Sequence, residues 1–320
     1  MDEGVNSVVE LLKKHHVAVE CCITSNECLS STTRMTDREP PPIVSWVREG
    51  VSVVLGSDNP GMWSAVSAGV SDEAQRALDL GVTRAELGEM MARAFELCRA
   101  APAAVAKTFA AEARAWATRA DATLAELPKV DLHIHLIGAI PLAYMVARAR
   151  EMGFEDDDTP IEGPVPGSKP PVVALSREAQ FGDMAAFLAV YRQRSKFIQK
   201  LGISDVARQI EVVAAAAAAQ NVRMLEIQLT ARTASGPHQT LSKERTERGD
   251  HKDFQPYFDF LEDGRQRALA QHGVYVAFIV APPQGLFQPW HLRHCMDAAC
   301  AANARIAGNR AHHGDAVLVA

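Results

Sequence analysis

Apolar and polar residues alternate from Val130 through Leu132 and Ile134 to Leu136, and a period of two is typical of a β-strand. Other short apolar runs, several of them ending in turn-forming residues such as Thr24-Ser25-Asn26, predict further strands. The predicted strands are residues 17–23, 51–55, 129–136, 222–229, 274–280 and 316–319.

Between these strands, apolar residues recur every three or four positions, which is the spacing of amphipathic helices. In the longest helical region, Thr83 and Glu86 have the spacing of a capping box. Pro/Gly-rich residues 155–171 and polar residues 231–253 are predicted to be loops. The predicted helices are 5–14, a short segment from the prolines at 40–42 to Gly50, 71–127, 141–152, 178–200, 204–219, 254–271 and 288–306.

Strands that alternate with helices in this way favour parallel pairing with right-handed crossovers, hence an α/β fold. We expect one domain in three parts: residues 1–70, a helical connection over 71–127, and residues 128–320. With 320 residues and 48% hydrophobic content, the chain can bury a substantial core.

A net charge of −6 gives the protein no basic field, so we expect small-molecule partners and no nucleic acid. No apolar run approaches the roughly 18 residues that a membrane span requires, so no membrane partner is expected. The six cysteines form no regular framework and no signal-peptide pattern precedes them, which favours reduced thiols and a cytoplasmic location.

His133 and His135 are two residues apart on one predicted strand, so their imidazoles project from the same face. Two neutral nitrogen donors with this spacing are suited to a divalent metal such as zinc, although histidines at a sheet end can also simply reach solvent. Asp58 follows another predicted strand and offers a carboxylate. In parallel α/β barrels, chemistry gathers at the carboxyl ends of strands, so we expect these three side chains to converge on Zn²⁺.

Three segments resemble the adenosine deaminase family of metal-dependent amidohydrolases. Residues 127–140, Leu-Pro-Lys-Val-Asp-Leu-His-Ile-His-Leu-Ile-Gly-Ala-Ile, are similar to the family's first barrel strand, Pro-Lys-x-Glu-Leu-His-x-His-Leu-Asp-Gly. Residues 17–26 resemble the seventh strand with its Ser-Asn turn, and residues 51–62 resemble the eighth strand, which usually ends in Asp-Asp-Pro. Residues 222–229, 274–280 and 316–320 are more weakly similar to the second, third and fourth strands.

The resemblance implies a TIM-type (β/α)8 barrel in circularly permuted order, with strands seven, eight, one, two, three and four. Since the eighth strand of a closed barrel lies beside the first, these six would form a contiguous but incomplete arc. The arc would leave two unpaired edges, near residues 17–23 and 316–320, so we expect self-association or poor solubility.

The implied activity is zinc-dependent hydrolytic deamination of adenosine or a related aminopurine nucleoside or nucleotide. By resemblance, His133, His135 and Asp58 would bind zinc, with Asp58 also orienting the attacking water. Asn59 replaces the family's second aspartate and would meet a purine ring nitrogen. Gly138 would let the backbone approach substrate or would serve as a turn glycine. Phe187 would either cover the base or pack in the core.

The sequence contains neither the family's His-Ala-Gly-Glu motif, whose glutamate shuttles the proton, nor the further histidine ligand of its sixth strand. Because a proton shuttle typically contributes 10²–10⁴-fold in rate, low activity is expected. Two alternatives stay open: a catalytically inactive deaminase-derived fragment or binding protein, and a different amidohydrolase that cleaves cyclic amides.

Overall fold

The computed structural model describes most of the chain, and every statement of structure below refers to that part. The described residues are 3–29, 42–63, 69–152, 184–230, 255–281, 297, 299–300 and 318–319. Among them, six strands are found where the apolar runs predict them. These are β1 (Ala18–Cys21), β2 (Ser52–Leu55), β3 (Lys129–His135), β4 (Val222–Thr230), β5 (Tyr275–Ala281) and β6 (Leu318–Val319).

Helices occupy most of the intervals between strands, as the three-to-four periodicity predicts. Two short 3₁₀ turns, Leu124–Glu126 and Ile203–Asp205, precede β3 and one of the longer helices. The α-helices are α1 (Glu3–Lys14), α2 (Ile23–Leu29), α3 (Pro42–Arg48), α4 (Val70–Asp79), α5 (Arg84–Leu97), α6 (Ala103–Thr118), α7 (Leu136–Ala139), α8 (Leu142–Glu151), α9 (Met184–Lys200), α10 (Val206–Ala218) and α11 (Gln255–His272).

All strand pairs are parallel, which confirms the α/β prediction. β1 pairs with β2, and the second sheet has the order β3-β4-β5-β6. Val53, Val54 and Leu55 are buried, as are the first four residues of β3, because helices cover the sheets. The described residues form no closed barrel.

A backbone contact at Asp58 joins the two sheets. Asp58 forms a parallel β-bridge with Ile134 of β3. Its amide donates to the His133 carbonyl at 2.7 Å, and its own carbonyl accepts from the His135 amide at 2.8 Å. We call this contact the seam; it brings the end of β2 beside β3.

The capping box at the start of α5 is confirmed, since the Thr83 hydroxyl accepts from the Glu86 amide and the Glu86 carboxylate accepts from the Thr83 amide. The turn predicted at residues 24–26 is wrong, because α2 begins at Ile23. The cause is a distant residue: the buried Glu73 carboxylate accepts from the Ile23 and Thr24 amides and satisfies this helix N-terminus.

Several predictions fall on residues outside the described part. They are the loops 155–171 and 231–253, the first turns of the helix 178–200, and most of the helix 288–306. The five cysteines in the described part form no disulfide. No described helix combines the length and the apolar character that crossing a membrane would require.

Candidate metal centre

Three potential ligands meet at the carboxyl ends of β2 and β3. Asp58 follows β2 by three residues, while His133 and His135 are the last two alternate residues of β3. Asp58 Oδ1 lies 3.2 Å from His135 Nε2 and 3.8 Å from His133 Nε2. One ligand atom from each residue falls within 4.8 Å of the others, so the three side chains meet as predicted, while the binding of zinc stays a prediction.

The backbone at Asp58 has an unusual conformation that places its carboxylate. Asp58 has φ of 58°, a left-handed value that aspartate tolerates better than most residues. Strained conformations of this kind persist where surrounding contacts enforce them, and they concentrate at functional sites. Here the two hydrogen bonds of the seam hold the residue.

A buried carboxylate, Asp131, stabilises the seam through hydrogen bonds to residues on both sides of it. Asp131 accepts hydrogen bonds from the amide and hydroxyl of Ser57 and from the amide of His133. Burial raises the pKa of Asp131 to about 7, against the lowering effect of these donors. Asp131 therefore ties the residue before Asp58 to the strand that carries both histidines.

The Asp58 carboxylate is oriented by its neighbours. Ser25, on α2, donates to Oδ2 at 2.6 Å, and Asn59 Nδ2 donates to Oδ1 at 2.6 Å. Burial acts to raise the pKa of Asp58, but hydrogen bonds from His135 and Ser25 outweigh it, so the pKa is lowered. The carboxylate is the ionised form that a metal requires.

Glu20 is a site residue that sequence reasoning missed. Its Oε2 lies 2.6 Å from His133 Nδ1, and Gln228 Nε2 lies 3.3 Å from the same nitrogen. The hydrogen bond to Glu20 raises the pKa of His133, with burial opposing it. A proton on Nδ1 shared with Glu20 leaves the Nε2 lone pair directed at Asp58, which is the tautomer a metal ligand needs. The available signal was that Glu20 is the one charged residue in the apolar run 17–23.

Asn59 and Gly138 are packed against each other. A Cβ at Gly138 would lie 1.7 Å from Asn59 Oδ1, so the close approach of the Asn59 side chain is sufficient to require glycine there. Asn59 is buried, and its Oδ1 has no hydrogen-bond partner. Contacts of either residue with substrate stay predictions.

Phe187 belongs to a small aromatic cluster beside this loop. Its ring stacks on Trp63 with a centroid distance of 5.3 Å and contacts Tyr191 at 5.7 Å. The amides of Met62 and Trp63 both donate to the Asn59 carbonyl. Phe187 thus packs in a satellite core that borders the metal ligands, and its role over a bound base stays a prediction.

The geometry fits a metal of zinc type. Ligand atoms about 2.1 Å from a tetrahedral zinc ion lie roughly 3.4 Å from one another, close to the 3.2 and 3.8 Å separations observed. The side chains of His133 and His135 are 27% and 35% exposed, so the site is open on one side. Three protein ligands with an open position are the arrangement of catalytic zinc sites.

Comparisons of the chain with protein families, with curated proteins and with solved structures found no match. The resemblance to adenosine deaminases therefore rests on the sequence motifs, and the metal centre rests on its geometry.

Proposed function

We propose that the chain binds zinc at Asp58, His133 and His135, and that this centre supports slow hydrolytic deamination of an aminopurine nucleoside or nucleotide. The observation that carries the proposal is the meeting of two imidazole nitrogens and one carboxylate oxygen from separate strands within 4.8 Å. Two nitrogen donors and one carboxylate suit zinc better than calcium or magnesium, which prefer oxygen ligands.

The strand order supports the deaminase assignment. Segments that resemble the family's strands seven, eight, one, two, three and four appear as β1 to β6, with the seam joining the second to the third. This is the neighbour order expected of a permuted and incomplete (β/α)8-type arc. We therefore include that architecture in the proposal.

Zinc, when bound, supplies a Lewis acid and makes a water molecule acidic enough to act as a nucleophile near neutral pH. The chain's own residues hold the ligands in position and would orient the substrate. Ser25 holds Asp58 Oδ2, so that Oδ1 faces the imidazoles. Glu20 holds the proton on His133 Nδ1. Asn59 would orient the purine ring, and the aromatic cluster of Trp63, Phe187 and Tyr191 would exclude water from one side.

The expected rate is low because the described residues offer no free general acid at the site. Glu20 is committed to His133, and the buried Asp131 is committed to Ser57 and to the His133 amide. A positioned acid or base typically contributes 10²–10⁴-fold, and a chain without one loses that factor.

Zinc content and ammonia release test the proposal. The unaltered chain should hold one zinc ion, and Asp58→Asn and His133→Ala should lose it. His15→Ala, which removes an exposed histidine immediately after α1, should retain it. Zinc-loaded, folded protein should release ammonia from adenosine, deoxyadenosine or adenosine monophosphate. Absence of zinc would overturn the metal centre, and absence of ammonia would overturn the deaminase assignment.

A second candidate is a catalytically inactive, deaminase-derived binding protein, favoured by the missing general acid. It predicts zinc and aminopurine binding without ammonia release on prolonged incubation. Including dihydropyrimidines in the substrate panel tests the cyclic-amide alternative at the same time.

A further inference from the structure

Arg194, in the middle of α9, is a buried cation for which the described residues supply no anion. It is only 2% exposed, and its Nε and Nη1 atoms have no hydrogen-bond partner. Burial lowers the pKa of Arg194 to about 10, and no described carboxylate acts in the opposite direction. The guanidinium therefore stays charged at neutral pH, where an unpaired buried ion costs several kcal/mol.

The other buried arginine in the described part, Arg265, is paired with a carboxylate, and so is the half-buried Arg148. Arg265 donates to both oxygens of Glu262, at 2.7 and 2.6 Å. Arg148 lies 3.3 Å from Asp205. Arginine is thus tolerated inside this fold when an anion accompanies it, and Arg194 differs in having no such anion within the described residues.

The position of Arg194 relates it to the metal centre. Phe187, Tyr191 and Arg194 are separated by four and three residues, so they share one face of α9. Phe187 and Tyr191 belong to the aromatic cluster that borders Asn59. After burial, the Asp58 carboxylate is the influence that raises the pKa of Tyr191, which places this face within electrostatic range of Asp58.

Helix α9 also packs against α7, which begins immediately after His135. Three residues, or about 4.5 Å along the helix axis, separate Tyr191 from Arg194. A ligand whose heterocycle lies at the metal ligands and along the aromatic cluster would thus direct its far end toward Arg194.

We propose that Arg194 anchors the phosphate of a nucleoside monophosphate, so that the substrate of the metal centre is a nucleotide rather than a free nucleoside. The inference rests on the proposed function for the identity of the base. A phosphate accepts bidentate hydrogen bonds from a guanidinium and neutralises its charge, which a ribose hydroxyl does not. Burial of the guanidinium without an anion destabilises the unliganded chain. Binding of an anion at Arg194 should therefore stabilise the chain more than binding at a solvated arginine would.

The first test uses inorganic phosphate alone. Thermal unfolding of the full chain is followed as sodium phosphate replaces sodium chloride at constant ionic strength. The midpoint should rise with phosphate for the unaltered chain and for Arg192→Met, an exposed arginine on the same helix. Arg194→Met should show no such rise. In chloride alone it should be at least as stable as the parent, because it removes an uncompensated charge. A purely structural arginine would instead destabilise the chain when lost.

The second test compares ligands by calorimetry. Adenosine monophosphate should bind the unaltered chain about 10- to 100-fold more tightly than adenosine, since a hydrogen bond to a charged group contributes about 1.5–3 kcal/mol. The preference should disappear in Arg194→Met. Equal affinities on the unaltered chain would overturn the inference even if the variant failed to fold.

The two proposals fail separately. Normal zinc binding with no Arg194-dependent response to phosphate overturns the anion site alone. An Arg194-dependent response in a chain that binds no zinc supports the anion site and overturns the metal centre.

Discussion

Glu20 and Ser25 show how side chains from neighbouring elements complete a site whose principal ligands are readable in the sequence. The Glu20 carboxylate fixes the His133 ring, and the Ser25 hydroxyl fixes the Asp58 carboxylate. Partners that orient metal-binding histidines in this way typically contribute 10- to 100-fold in metal affinity.

We expect Glu20→Gln to weaken zinc binding by about 10- to 100-fold, because an amide holds the Nδ1 proton less strongly than a carboxylate does. Competition with a zinc-sensitive dye measures the affinity. Glu49→Gln makes the same charge change at an exposed position and should leave the affinity unaltered. Equal affinities for the two variants would exclude a positioning role for Glu20.

Lys129 gives the protein a testable dependence on alkaline pH. It is buried at the start of β3, where its Nζ donates to the Leu127 and Gln220 carbonyls at 2.9 Å. Burial lowers the pKa of Lys129 from 10.5 to about 8. Between these two pH values the unfolded chain binds more protons than the folded chain, so the contribution of Lys129 to the free energy of unfolding rises with pH.

The expected rise between pH 8 and 10.5 is on the order of 3 kcal/mol. Urea unfolding at several pH values should reveal it as a more positive pH slope in the unaltered chain, and in Lys107→Met, which removes an exposed lysine, than in Lys129→Met. Lys129→Met should lack the rise. An unchanged pH slope in that variant would assign the effect to other groups.

At the residue scale, the sequence predicted the metal ligands because two rules were enough: strand periodicity pairs His133 with His135, and parallel strands end at one edge. It did not predict the contact between Glu20 and His133, because that contact depends on the sheet order: β1 pairs with β2, and the end of β2 meets β3 at the seam. Arg194 was missed because helical spacing alone does not distinguish a buried arginine from a solvated one.

At the scale of elements, α7 packs closely against the loop after β2. A Cβ at Gly138 would overlap Asn59 Oδ1, so Gly138→Ala must push the loop and the neighbouring Asp58 away from β3. We expect a loss of roughly 1–3 kcal/mol in stability, typical of overpacking. Circular dichroism with urea unfolding would measure it.

The matched control is a double variant. Asn59→Ala removes the two nearest overlapping atoms, Oδ1 and Cγ, and leaves only Cβ, so adding Gly138→Ala to that background should cost less than it does alone. Additive losses would contradict the packing explanation.

Elements were well predicted where helical or alternating periodicity was strong, as in α1, α5, β3 and β4. The turn at residues 24–26 was wrong because Glu73, some fifty positions away in the chain, supplies the acceptor that lets α2 begin early. Local turn propensity was outweighed by a tertiary hydrogen bond that the linear pattern does not show.

At the scale of the whole molecule, β1 and β6 are the outer strands of the described sheets. Uncovered strand edges pair readily with another chain, and charged residues nearby oppose this. We expect the protein to form oligomers with rising concentration, detectable by light scattering. Val17→Lys, beside the edge of β1, should reduce this association, whereas Val8→Lys, on the exposed surface of α1, should not. A monomer at high concentration would contradict the prediction.

The α/β class and the parallel pairing followed from the alternation of helices and strands, because few other topologies satisfy that order. Barrel closure did not follow, since it depends on strand number and shear rather than on any single segment. The described sheets accordingly have the predicted neighbours and form no closed barrel.

Zinc binding across the seam should change how often β2 and β3 separate locally. The amide protons of Asp58 and His135 leave their acceptors only when β2 and β3 separate locally. Zinc held from both sides would oppose that opening. At a zinc concentration about 100 times the dissociation constant, both protons should exchange with deuterium roughly 100-fold more slowly than in the chelated protein. Amides in α6, which takes no part in the seam, should exchange at the same rate in both states.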